Sequence, residues 1–299
     1  MYLDYYGLKE KPFTITPNPK FIFLSKNHKE VFAHLLYGVQ NQAGFVVVTG
    51  EVGTGKTTVL RTLLGELQED HYRLAFIFNP CLSATELLRN INREFGIADG
   101  PDNNSDLLRA LNEFLLEQRG AGRTVVLVID EAQNLEPAVL EQIRLLSNLE
   151  TETDKLIQIV LVGQPELKDI LARSDLRQLN QRITVRYHLK PMDFTDTSDY
   201  ISHRLRIAGG TQQRVFGDSA LKKIFSFSKG YPRLINILCD RALLVGYAEG
   251  CREIDTHMVQ TAIGELGYPQ RSFPRRTVLW FGALVAAVAV GVLGLYLSP

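Results

Sequence analysis

The stretch Phe45-Val46-Val47-Val48-Thr49-Gly50-Glu51-Val52-Gly53-Thr54-Gly55-Lys56-Thr57 decides the fold of this chain. Its first five residues are apolar or β-branched, the composition of a buried strand. Its last eight fit the pattern G-x-x-x-x-G-K-[ST]. Just downstream, Val59, Leu60, Leu63, Leu64 and Leu67 recur at the spacing of one helix face. The order is therefore strand, glycine-rich turn, helix. The glycines let the backbone turn its N–H groups inward, and the helix N-terminus adds the positive end of its dipole. Gly50, Glu51, Val52, Gly53, Thr54, Gly55, Lys56, Thr57 and Thr58 thus read as a cradle for a polyphosphate. Lys56 reaches the β- and γ-phosphates, and Thr57 offers its hydroxyl to Mg²⁺. A glycine-rich turn without a ligand is the bland alternative, and the flanking strand and helix argue against it.

Composition bounds the rest. A length of 299 residues allows one large domain or two ordinary ones. The 45% apolar and 22% charged content is that of a globular protein. Thirty-three basic residues balance 33 acidic ones. Nucleic acid is therefore not an expected partner, because binding it would need a local basic patch. Cys81, Cys239 and Cys251 show no CxxC spacing and are odd in number, which argues against a metal site and a disulfide framework. A reducing, cytosolic setting follows for residues 1 to about 275. Met1 to Tyr6 carries an acid and aromatics, not the start of a signal peptide.

Residues 1–30 hold Tyr5, Tyr6, Pro12, Phe13, Pro17, Pro19, Phe21 and Phe23. They read as an irregular arm laid on a core. Plain packing explains them, and so does a wall for a flat heterocycle such as adenine. His28 to Gln40 reads as a helix. Tyr72 to Asn79 is a short apolar strand, and Ser83 with Glu86 forms a capping box for the next helix. Residues 98–105 are turn chemistry, and Ser105 to Glu117 is an amphipathic helix. Thr124 to Ile129 is a buried strand that delivers Asp130-Glu131 at its carboxyl end. Leu156 to Val162 is another, ending in Gly163-Gln164-Pro165, and Arg182 to Leu189 alternates as a further strand. Helices at Pro137 to Leu149 and Leu167 to Arg173 lie between them. Strands alternating with helices predict an α/β fold, a parallel sheet covered on both faces, with ligands at its carboxyl edge.

After Pro191 the pattern turns helical, at Asp199 to Ala208, Gly217 to Ser228, Pro232 to Glu249 and Asp255 to Leu266. The expected organisation is a nucleotide-binding domain over 1–191, a helical lid over 192–267, a linker over 268–277 and one transmembrane helix over 278–297. Val278 to Leu297 is 20 residues without a charge. At about 1.5 Å per residue that is about 30 Å, the thickness of a bilayer's hydrocarbon core. Trp280 and Tyr296 sit at its ends, and Arg271, Arg275 and Arg276 precede it. By the positive-inside rule residues 1–277 are cytoplasmic. A buried core helix would have to be apolar all round with nothing left to cover it. Ala283, Ala287 and Gly291 are spaced for a helix–helix contact.

Hydrolysing a nucleoside triphosphate needs neutralised phosphates, a held metal and an oriented water. Asp130 would hold Mg²⁺ through water, and Glu131 would act as general base. The alternative for Asp130 is a helix N-cap. Gln164 is placed for the attacking water or the γ-phosphate, or it is turn chemistry before Pro165. Arg233, opening a helix in Gly230-Tyr231-Pro232-Arg233, could touch the γ-phosphate, or lie on the surface. Among Arg177, Arg182 and Arg186, one is a candidate to act in trans, with Arg182 the foremost. A solvated charged face is their alternative.

This order of features resembles the AAA+ ATPases: phosphate loop, strand with Asp-Glu, strand with a polar sensor, arginine, then a helical lid with Gly-x-Pro-Arg. More narrowly, four stretches resemble the general secretion pathway protein A family of type II secretion. They are Met1-Tyr2-Leu3-Asp4-Tyr5-Tyr6-Gly7-Leu8 with Pro12-Phe13, His34-Leu35-Leu36-Tyr37-Gly38, Ile129-Asp130-Glu131-Ala132-Gln133-Asn134-Leu135 and Leu179-Asn180-Gln181-Arg182-Ile183. Pilus-biogenesis and exopolysaccharide-locus ATPases share this head. The resemblance implies an inner-membrane, single-pass, homo-oligomeric ATPase using ATP and Mg²⁺, which works with a membrane partner protein to insert a secretin. It also implies a periplasmic peptidoglycan-binding region, and the chain departs from that pattern by stopping at Ser298-Pro299. Related heads serve as DNA-binding helpers of transposition, which is the alternative.

Overall fold

The computed structural model describes residues 2–16, 18–67, 70–78, 80, 82–98, 103–150, 154–209 and 214–267. Cys81, the expected linker over 268–277 and the expected membrane span over 278–297 lie outside the described residues. Among the described residues, no helix is long and apolar enough to cross a membrane.

Five strands, β1 (Phe45–Gly50), β2 (Tyr72–Ile77), β3 (Thr124–Ile129), β4 (Ile157–Gly163) and β5 (Ile183–Leu189), form one parallel sheet in the order β2-β3-β4-β1-β5. Burial follows this order. The central strands β1, β3 and β4 are the continuous apolar runs, buried almost throughout. The edge strands β2 and β5 are only partly covered, which is why β5 alternates in sequence.

Twelve helices accompany the sheet among the described residues: α1 (Tyr2–Tyr5), α2 (Lys26–Gln40), α3 (Lys56–Glu66), α4 (Ala84–Glu94), α5 (Asn104–Gly120), α6 (Pro137–Leu146), α7 (Glu166–Leu171), α8 (Arg177–Arg182), α9 (Phe194–Ile207), α10 (Asp218–Ser228), α11 (Pro232–Ala248) and α12 (Thr256–Glu265). On one sheet face, Val46, Val48, Val126, Val128, Val160 and Val162 pack on α2 and α3. The alternate residues Phe45, Val47, Leu127, Ile129, Ile159 and Leu161 pack on α4 to α8. Period-two alternation thus feeds two cores from the same strands. Each fully buried Leu or Ile contributes roughly 1.5–3 kcal/mol relative to exposure.

Helix starts follow local caps. Helix α2 begins at Lys26, ahead of the expected His28, because Ser25 caps it and the His28 side chain completes the capping box. Helix α9 begins at Phe194 because the Asp193 carboxylate accepts from the Asp196 N–H, five residues before the start expected from apolar spacing.

Helices α9 to α12 build a separate apolar cluster, and the arm belongs to it. Tyr2, Tyr6, Leu8, Phe13 and Phe21 are buried among Ile201, Ile235, Leu238, Leu243 and Ile254. The Tyr6 hydroxyl donates to the Cys251 carbonyl at 2.9 Å. The two bodies meet at a tight turn before α11. Gly230 has φ +80°, and a Cβ there would lie 1.8 Å from the Met192 carbonyl oxygen.

Gly230→Ala is therefore expected to destabilise the chain by about 2 kcal/mol or more, because it combines left-handed strain with a backbone clash. For a chain of this size that lowers the melting midpoint by roughly 5 °C. Gly65→Ala, on α3 with open space around it, should raise the midpoint slightly through helix propensity. Thermal melts followed by circular dichroism check both. An equal response at the two sites would refute the clash.

Candidate nucleotide site

Sheet order brings the site together. Strand β4 lies between β1 and β3, with Thr49 opposite Gly163 and Ile129 opposite Leu161. The carboxyl ends of the three strands therefore deliver the phosphate loop, Asp130-Glu131 and Gln164 to one edge. The loop curves through positive φ at Gly53 (+79°) and Gly55 (+98°), where a Cβ would be strained.

Within the loop, Lys56 is buried and its Nζ donates to the carbonyls of Gly50 at 2.8 Å and Glu51 at 3.2 Å. The Thr57 hydroxyl donates to Asp130 Oδ2 at 3.0 Å, while Asp130 Oδ1 accepts from the Glu131 N–H at 2.9 Å. Asp130 thus faces the loop, and the local N–H bond accompanies that contact. Burial pushes the Asp130 carboxyl up; the bonds from Glu131 N–H and Thr57 pull it back, Glu131's charge raises it, and Lys56 opposes that. Burial likewise pushes the Lys56 ammonium down, against the pull of Glu131 and Asp130. Two carboxylates here face one lysine.

Glu131 has φ 54° and ψ 37°, the left-handed region for a residue with a side chain. That costs roughly 1–2 kcal/mol. Two amides hold its carboxylate: Gln133 Nε2 donates to Oε2 at 2.6 Å and Gln164 Nε2 at 3.2 Å. Gln133 Oε1 in turn accepts from the Gln164 backbone N–H at 2.9 Å.

A cleft of about 480 Å³ opens over this edge, within the range of small-ligand sites. Loop, arm and lid share its walls. From the arm come Thr14, Ile15, Phe21 and Phe23; from the lid come Met192, Tyr200, Arg204, Arg233 and Asn236. Two wall residues, Ile15 and Val52, leave 57% and 54% of their surface uncovered, an apolar face a heterocycle could cover. Arg233, exposed on the first turn of α11, lies beside the loop: a Cβ on Gly53 would lie 3.0 Å from Arg233 Cβ. Arg182 stands away from the cleft in its own chain, half-buried, with Nη1 donating to the Ser147 hydroxyl at 2.7 Å. Arg186 donates to Asn180, and Arg177 is exposed.

Three features escaped sequence reasoning. Gln133 is one; a polar residue two positions after Glu131 was the available signal. The second is a buried network: Arg204 Nη1 donates to the Tyr200 hydroxyl at 2.6 Å, which donates to Asn236 Oδ1 at 2.8 Å. Arg204 also lies over the Phe21 ring at 5.0 Å, joining lid to arm. An arginine four residues after a tyrosine on an apolar face was the only hint. The third is His28, whose ring touches the phosphate loop at Thr54.

Comparison with known proteins agrees with this geometry. Residues 39–171 match the family model described as an AAA domain. General secretion pathway protein A of Aeromonas hydrophila is 45% identical over 294 residues, 98% of this chain and 52% of that protein. The ATP-dependent target DNA activator B of Escherichia phage Mu is 28% identical over 147 residues, 49% of this chain and 43% of that protein. The chain spans about half the length of each. Cdc6p from Pyrobaculum aerophilum shares the fold, with a TM-score of 0.63 at 21% identity over 86% of this chain and 74% of that one. Residues 39–171 therefore carry an AAA domain on a P-loop α/β fold, and along almost its whole length the chain resembles general secretion pathway protein A.

Proposed function

We propose that the chain binds ATP with Mg²⁺ in this cleft, hydrolyses it, and uses the cycle to drive assembly of an envelope secretion complex. The convergence of Lys56, Thr57, Asp130 and Glu131 at one sheet edge carries the reading. Lys56 leaves its loop carbonyls for the β- and γ-phosphates. Thr57 and Asp130 are hard oxygen donors already in contact, a set that suits Mg²⁺ with waters completing its shell. When bound, the ion neutralises charge on the phosphates. Glu131 takes a proton from the attacking water, oriented by Gln133 and Gln164. Arg233 joins the lid to the loop, and the adenine lies against the uncovered apolar wall.

The finer role rests on the likeness to general secretion pathway protein A. It comprises a single inner-membrane span at 278–297, a cytoplasmic ATPase domain, a homo-oligomer with one of Arg177, Arg182 and Arg186 acting in trans, and a membrane partner protein. Peptidoglycan would be a partner only through a periplasmic region beyond these residues. Recovery of a membrane secretion protein with the full chain from envelopes supports this role. A second reading, a helper that binds DNA, is favoured by the match to a phage target DNA activator. With basic and acidic residues balanced at 33 each, the full chain should leave duplex DNA unshifted in a gel at 50 mM salt. A salt-sensitive shift would turn the assignment toward the second reading.

Variants at the edge separate binding from chemistry. Lys56→Ala should weaken ATP binding at least about tenfold, through loss of the phosphate contact. Glu131→Gln should bind ATP within about threefold of wild type and release phosphate about 100-fold more slowly or worse, the worth of a general base. Wild-type phosphate release by Glu131→Gln would remove Glu131 from the mechanism.

Asp130→Asn tests the electrostatics. A carboxyl raised on folding stabilises below its unfolded value, near 3.8, and loses that contribution as pH rises. At pH 7 the charge of Asp130 should thus cost stability. Asp130→Asn should melt higher than wild type without nucleotide at pH 7, with the gap closing toward pH 4, and should lose stabilisation by Mg²⁺ and ATP. A lower melting point at pH 7 would refute the account.

A further inference from the structure

His28 carries a role that the nucleotide chemistry above does not use. The residue is 3% exposed, and its ring bridges Ser25 and the phosphate loop at Thr54. His28 Nδ1 faces the Ser25 hydroxyl at 2.7 Å and the Ser25 backbone N–H at 3.3 Å. A backbone N–H can only donate, so Nδ1 is the acceptor. The ring's hydrogen then sits on Nε2, which donates to the Thr54 carbonyl at 2.8 Å. Burial pushes the imidazole below its usual range, which keeps it in this neutral form.

We propose that His28 is a positioning residue that holds the phosphate loop in its anion-binding curve by anchoring the Thr54 carbonyl. The peptide bond is planar and trans, so a carbonyl fixed toward His28 turns the Gly55 N–H the opposite way, into the cradle. The loop's first two carbonyls are held as well, Gly50 and Glu51 by Lys56 and, at Glu51, by the Thr54 hydroxyl at 2.8 Å. When Lys56 moves to phosphate it releases its carbonyls, whereas the His28 anchor stays. The fit is close: at Gly55 a Cβ would lie 2.6 Å from His28 Nε2. The same turn of α2 is tied to the junction between sheet and lid, because Asn27 Nδ2 donates to the Pro191 carbonyl at 3.0 Å. The first turn of α2 thus touches the loop through His28 and the junction through Asn27.

The inference rests on the reading of the cleft as an ATP site, and the test keeps the two apart. Binding of a fluorescent ATP analogue with Mg²⁺ is measured on the full chain and on H28F, H28Q and K56A, each with its melting point without nucleotide. H28F fills the ring's volume but cannot donate; H28Q keeps a donor at the end of the side chain. H28F is expected to bind at least tenfold more weakly while melting as a folded protein, and H28Q within threefold of wild type. Wild-type affinity in H28F, or equal weakness in H28Q and H28F, overturns the role of His28. If H28F does not fold, H28Q decides: a folded H28Q that binds tenfold more weakly overturns it, and near-wild-type binding supports it. Failure of the wild-type chain to bind overturns the ATP site as well, whereas binding lost in K56A and kept in H28F sinks the inference about His28 alone.

Discussion

One buried and one half-buried carboxylate against one lysine, at the carboxyl edge of a parallel sheet, are the constraint on which the rest depends. Asp130 and Glu131 stand at the end of an apolar strand, where desolvation penalises charge. Lys56 shares that penalty. Thr57 and the Glu131 N–H satisfy Asp130, and the two glutamines satisfy Glu131. Under the proposed function, a divalent cation arriving with the polyphosphate would offset the charge that remains. Without the strand order that sets β4 between β1 and β3, the loop and the acid pair would not share an edge with Gln164.

The sheet's two cores hold that edge still. Arm and lid do the opposite, closing the cleft with side chains from two distant parts of the chain. The arm's burial among α9 to α12 means that arm and lid share one apolar core. Contacts to the loop from this side are few: Arg233 against Gly53, and the α2 turn carrying His28 against Thr54 and Gly55. A nucleotide would thus bind across a seam between a body built on the sheet and a body built on the lid.

Much of this was legible because it is local. Phe45–Thr49, Thr124–Ile129 and Leu156–Val162 are continuous apolar runs, and in the fold they are the strands covered on both faces. Alternation at Ile183–Leu189 is the mark of an edge strand, and β5 is at the edge. The motif at Gly50–Thr57 fixed loop and helix by spacing alone. What escaped is long-range. Tyr6 bonds a carbonyl 245 residues away, and no periodicity encodes such a pairing. His28 looked like a polar start to an apolar helix, and only the fold brings its ring to Thr54. Gln133 needed the positive φ of Glu131 before its amide could reach the carboxylate. For Arg182, a candidate to act in trans or part of a solvated face, sequence does not reveal Ser147 beside it.

The most direct test of the central claim is a structure of the full chain with Mg²⁺ and a non-hydrolysable ATP analogue. The account predicts phosphates on the backbone N–H groups of Gly53 to Thr57, Lys56 moved from Gly50 and Glu51 to the γ-phosphate, the ion at Thr57 and Asp130, and the base between arm and lid. A nucleotide bound elsewhere, or one in the cleft with Lys56 still on its own loop carbonyls and no ion at Thr57, would contradict it.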